Sequence, residues 1–159
     1  MNDKKRVIAV IALFSFMAAG IAASVLREKE SGVSGRPEPL PPAVDGKGPV
    51  VVYYFHGYQR CQGCLRTEKM LREVTAEAFA EEMKNGQVAF RAVNVEDLAN
   101  VELVERFSVT ARHPVIADEA DGPGGPWQEI KDVPGDKARL RQVVEAVVRP
   151  MLAKRRAPK

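Results

Sequence analysis

Cysteine is scarce in this chain: 159 residues contain two, at positions 61 and 64. Two cysteines cannot build the disulfide framework that holds small secreted scaffolds together. A bridge across so short a separation closes a ring too small to restrain the unfolded chain much. The pair therefore points to chemistry rather than architecture. Histidine is equally scarce, with only His56 and His113. Without a second cysteine pair, a four-ligand zinc site would need both histidines or carboxylates. Aromatic residues make up 6% of the chain. None interleaves with the basic tail Lys154, Arg155, Arg156 and Lys159, which excludes a base-stacking platform and leaves the tail as a solvated terminus. No nucleic acid partner is expected. The net charge of +3 is small, and no internal repeat is visible. With 45% apolar and 28% charged residues, the composition is that of one ordinary globular core.

Charge is missing altogether from Val7 to Leu26, VIAVIALFSFMAAGIAASVL, a run of 20 residues. That is about the length of a helix crossing a bilayer core. The short basic segment 1–6, with Lys4, Lys5 and Arg6, precedes it, and Arg27-Glu28-Lys29-Glu30 follows with no net charge. The positive-inside rule then leaves the N-terminus in the cytoplasm and the rest outside, in a periplasm or other extracytoplasmic space. The expectation is a single-pass signal anchor. A cleaved signal peptide is the alternative, since Gly20-Ile21-Ala22 supplies small residues. No cysteine near the segment's end invites lipid attachment. Residues 27–49 read as a linker. From 31 onward they are rich in proline and glycine, which favours an extended, semi-rigid spacer.

The folded domain is expected over residues 50–152, with 153–159 as the tail. Val50 to Phe55 is apolar, β-branched and aromatic, the pattern of a strand buried on both faces. A helix follows from about Gln62 to Lys84, with a bend expected near Thr75 and a stop at Asn85-Gly86. Val88–Val95 is a second strand, Asp97–Phe107 a helix, and Pro114–Ala117 a third strand. Trp127–Ile130 is a fourth strand, antiparallel to the third. A last helix starts near Asp136, which Pro150 should end or kink. The order β-α-β-α-β-β-α indicates an α/β fold. Two βαβ-type connections predict parallel central strands with helices on both faces and an antiparallel edge.

Cys61-Gln62-Gly63-Cys64 thus falls just after a buried strand and at a helix start. The helix N-terminus offers unpaired N–H groups and partial positive charge, which stabilise a thiolate at Cys61. Only the thiolate attacks a disulfide. Cys64, one turn inside, is spaced to resolve a mixed disulfide. Gly63 removes bulk from the turn. Arg60, Arg66 and Lys69 are near in sequence and would lower the thiol pKa further, as would His56 when protonated. Glu68 reads as part of a solvated helix face, Tyr58 as lining the dithiol surface, and Trp127 as packing. A soft metal such as copper or zinc held by Cys61 and Cys64 with His56 or His113 is a rival use of the same residues. A non-catalytic adaptor is another.

The element order, the strand VVVYYFHG and CQGC at a helix start resemble the thioredoxin superfamily. More narrowly, Tyr53-Tyr54-Phe55-His56-Gly57, then Arg60-Cys61-Gln62-Gly63-Cys64 and Glu68, is similar to a small bacterial family. Its membrane-anchored, thioredoxin-like members are often described by association with nitroreductases. The resemblance covers most of residues 50–117. It implies a thioredoxin-like fold and a redox-active Cys61–Cys64 disulfide exchanging with a protein substrate and a redox partner, without an organic cofactor. Its substrate, its oxidising or reducing direction and its oligomeric state stay open. Thioredoxins carry a buried carboxylate on the strand before the motif, and this strand has none; Tyr54 or Phe55 falls near the place. They also carry a cis-proline beside the dithiol. Pro114 is the candidate here, with His113 before it facing substrate and the two positioning a substrate strand by backbone pairing.

Overall fold

The computed structural model of the protein describes residues 47–156. The expected anchor at 7–26, nearly all of the linker and the last tail residues lie outside the described residues. Among the described residues no helix is long and apolar enough to cross a membrane.

Strand β1 (Val50–His56) carries the fold. Its β-branched and aromatic residues suit a pleated surface buried on both sides, and every residue but His56 is buried. It lies inside a four-stranded mixed sheet of order β2-β1-β3-β4, where β2 is Val88–Asn94, β3 Pro114–Asp118 and β4 Trp127–Glu129. Alternation along β1 divides the core in two. Val50, Val52 and Tyr54 pack with Leu71 and Val74 of helix α1 (Gln62–Ala78) and with Leu140, Val144 and Val148 of the C-terminal helix Lys137–Arg156. Val51, Tyr53 and Phe55 pack with Val93, Val115 and Phe107 on the opposite face.

The parallel β1–β2 pair is the expected βαβ unit, but β3 runs antiparallel to β1. The expectation of a second parallel connection is therefore corrected. Between β2 and β3 stand a one-turn 3₁₀ segment (Leu98–Asn100) and helix α3 (Val101–Phe107). Seven helical residues advance the chain only about 10 Å, against about 23 Å for a seven-residue strand. The chain re-enters the sheet at the end it had left, with Pro114 opposite Tyr54 and Asp118 opposite Val50.

Two helix expectations also shift. The first helix, expected to bend near Thr75, is continuous to Ala78, with Thr75 Oγ1 donating to Leu71 O at 2.7 Å. It breaks at Phe79 (φ −132°, ψ 37°), whose fully buried ring turns into the core, and resumes as a short helix α2 (Ala80–Lys84). Gly86, at φ 68°, then takes the left-handed turn into β2. Pro150 does not end the last helix, α4, which runs on to Arg156. Leu152 is buried beyond the proline, and Arg155 donates to Gly48 O at 2.7 Å and pairs with Asp118. These contacts hold the final turn against the helix bond that proline removes.

Candidate functional site

Helix α1 begins where the β1 loop ends, and Cys61 is its N-cap in extended geometry (φ −73°, ψ 160°). Its sulfur accepts the Cys64 backbone N–H at 3.1 Å, and its carbonyl accepts from Leu65 N at 3.0 Å. The sulfur therefore caps the helix, taking one of the N–H groups that a helix N-terminus leaves unpaired. Cys61 and Cys64 form a disulfide with Cα atoms 5.1 Å apart. The two ends are unequal: Cys61 is exposed and Cys64 is 5% exposed. A nucleophile arriving from solvent meets the outer sulfur, while the inner one is enclosed. A Cβ at Gly63 would lie 3.7 Å from the Cys61 sulfur, an ordinary contact, so relief of crowding there is not what position 63 requires.

His56 ends β1 and turns Nδ1 to Gly57 O at 3.0 Å. Burial pulls its pKa below the usual 6.5, only partly opposed by that hydrogen bond. The imidazole is therefore neutral near pH 7 and adds no positive charge to the dithiol. Glu96 closes the loop, accepting Tyr58 N at 2.5 Å and lying 3.3 Å from where a Gly57 Cβ would project. Tyr58 is 69% exposed.

His113 and Pro114 reach the same end of the sheet. Arg112 N donates to Phe55 O at 2.7 Å, and His113 O accepts from Phe55 N at 3.1 Å. The His113–Pro114 peptide is trans, as no cis bond occurs among the described residues. The chain turns instead at Arg112, a non-glycine residue in the left-handed region at φ 74°. Pro114 O accepts from Ile130 N at 2.9 Å, so the carbonyls of His113 and Pro114 both take part in the fold's own hydrogen bonding. The His113 side chain pairs with Glu129 on β4. Among the described residues no three His, Cys, Asp or Glu side chains gather as a metal site would need.

One residue, Glu68, plays a larger part than its sequence context indicated, while Tyr54 is the core residue that its strand predicts. Tyr54 is 1% exposed on the α1 face of β1, and burial raises its pKa against the lowering influence of Arg60 and Arg112. Glu68 is not on a solvated face. Its side chain is 14% exposed and ion-paired with Arg60, itself 16% exposed. Helix-face counting from Cys64 would have found it, since 64, 68, 71 and 75 fall on one stripe. Trp127 packs edge-on against Phe107 at 5.3 Å between ring centres, and so belongs to the fold.

Compared with protein-family models and with curated proteins, the chain matches none.

Proposed function

We propose that this protein is a thioredoxin-like thiol–disulfide oxidoreductase, with Cys61 as the exchanging sulfur and Cys64 as the resolving one. The observation that carries the reading is the inequality of the bonded sulfurs: Cys61 exposed at a helix N-cap, Cys64 buried one turn inside. The strand order β2-β1-β3-β4, with β1 parallel to β2 and antiparallel to β3, is compatible with the thioredoxin-like core.

From the disulfide state, a substrate thiolate attacks the Cys61 sulfur. A mixed disulfide forms, the Cys61–Cys64 bond breaks, and Cys64 leaves as a thiolate that takes a proton. The substrate's second thiolate then attacks its own mixed-disulfide sulfur and releases reduced Cys61. The substrate dithiol is oxidised to a disulfide, and the protein's disulfide is reduced to a dithiol. The reverse sequence reduces a substrate disulfide. No organic cofactor takes part, and the substrate is a protein or small-molecule thiol or disulfide. His113 would face the substrate, through its side chain more than its carbonyl. With residues 7–26 as anchor, the reading puts this chemistry on the outer face of a bacterial cytoplasmic membrane, where disulfides persist.

The test is trapping. Cys64→Ser should accumulate a mixed disulfide at Cys61 with oxidised glutathione, visible as an added glutathione mass. Cys61→Ser should form none at neutral pH and lose exchange to background. Equal trapping at both positions, or at Cys64 alone, contradicts the assignment. Tight stoichiometric binding of copper or zinc by the reduced protein, without thiol exchange, would favour a metal-handling role.

A further inference from the structure

The stripe that carries Cys64 down helix α1 passes through Glu68 to Leu71 and Thr75. Cys64, Leu71 and Thr75 are all buried, so Glu68 interrupts an inward-facing row. Residues four apart on a helix have Cβ atoms about 5–6 Å apart, which sets this carboxylate one turn from the inner sulfur. It is held from two sides. Arg60, the residue immediately before Cys61, pairs with Glu68, and Arg72 Nη2 contacts Oε1 at 3.3 Å. The Arg72 guanidinium in turn lies 4.6 Å from the Phe90 ring centre. Desolvating such charges opposes folding unless their pairing repays it, and an apolar residue would fill the stripe more simply.

We propose that Glu68 is a positioning residue that sets the redox balance of the Cys61–Cys64 pair, fixing the Arg60 guanidinium beside Cys61 and cancelling part of its charge. The inference rests on the disulfide-exchange reading and adds control of its equilibrium. It has a sign. Reduction creates sulfurs that ionise, and positive charge stabilises the thiolate and hence the reduced form. Neutralising Glu68 leaves Arg60 and Arg72 unopposed, which favours reduction. Neutralising Arg60 leaves the carboxylate less balanced and favours the disulfide. Arg66, Lys69, Arg112 and Glu96 also lie near this end in the chain or the fold, and they are unchanged in every variant.

The experiment compares the full chain with Glu68→Gln, Arg60→Met, Arg60→Lys and the Arg60→Met/Glu68→Gln double variant. Each is equilibrated with glutathione, and the Cys61 thiolate is titrated by its ultraviolet absorbance. For a single charge removed at this range, Glu68→Gln should favour the reduced state by about three- to tenfold. That is a potential about 14–30 mV less negative for a two-electron couple. The Cys61 pKa should fall by about half a unit to one unit. Arg60→Met should move both quantities the other way, Arg60→Lys should stay close to the wild type, and the double variant should lie between the single ones. Shifts of the same sign in Glu68→Gln and Arg60→Met, or no shift in either, overturn the proposal. If Arg60→Met does not fold, Glu68→Gln and Arg60→Lys still decide it, and an unshifted Glu68→Gln overturns it. A wild type that does not exchange with glutathione at all refutes the underlying reading, which separates that failure from this one.

Discussion

The two ends of β1 are each braced by half-buried arginine–carboxylate groups, yet only one end bears on the sulfurs. At the N-terminal end Arg155 joins α4 to Asp118 and Gly48 O. Beside it Arg106 grips both oxygens of Glu119 at 2.9 and 2.8 Å, and the Tyr53 hydroxyl donates to the same carboxylate at 3.0 Å. These contacts tie together segments far apart in the sequence. At the C-terminal end Arg60, Glu68 and Arg72 link the β1 loop to the first turns of α1, beside the dithiol. The chemistry of the pairs is the same. What differs is whether a titrating sulfur stands within their field, so one cluster should govern stability and the other redox balance.

The largest effect that would break this division is at the braced end. Arg155→Met strands Asp118, at 10% side-chain exposure, without its cation. Removing one partner of a buried pair costs about 3 kcal/mol, which urea unfolding should register, with the glutathione exchange constant unchanged. A shift in that constant comparable to that of Glu68→Gln would erase the distinction between the ends.

A smaller effect is expected at Tyr53. Tyr53→Phe loses a hydrogen bond to a charged acceptor, worth about 1.5 kcal/mol, while Arg106 still holds Glu119. Its pH dependence is the sharper sign. Burial first, and the Glu119 charge next, raise the phenol's pKa above its ordinary 10.0. A raised folded-state pKa stabilises the fold below the unfolded value, and that stability is lost as pH rises toward the folded one. Wild-type stability should therefore fall above pH 10 more steeply than that of Tyr53→Phe. Equal slopes would contradict the burial of that hydroxyl.

His56 should give the smallest effect and the opposite pH sense. Its lowered pKa stabilises the fold above pH 6.5, and that contribution is lost as pH falls through the folded value. His56→Gln should flatten the decline in stability between pH 7 and 5. The glutathione exchange constant at pH 7 should not change, because the imidazole is already neutral there. A change comparable to that of Arg60→Met would mean that His56 carries charge at the dithiol.

Much of this architecture can be read from hydrophobic period and punctuation. Val50–Phe55 announces a strand buried on two faces, Asn85-Gly86 a helix end, and Cys61 and Cys64 a helix start. The direction of β3 was not legible, because a seven-residue helix looks like a crossover in the sequence while being too short to return the chain to the far end of β1. The break at Phe79 rather than Thr75, and the helix persisting through Pro150, are tertiary decisions. One depends on burying a ring, the other on Leu152 and Arg155 finding partners beyond the proline. At the site, the dithiol was legible and its electrostatic setting was not. Glu68 lies on the stripe of Cys64 and Leu71, but its charge suggested solvent. Only the fold brings Arg60 back over the helix to pair with it.

The most direct test of the account is an equilibrium redox titration of the full chain against glutathione, following Cys61 and Cys64 by alkylation and mass. Two guanidinium groups against one carboxylate leave the site net positive, and a helix N-terminus faces the outer sulfur. The pair should titrate as one reversible two-electron couple with a potential less negative than thioredoxin's, which is about −270 mV. A more negative value, or thiols that never re-form the disulfide, would contradict it.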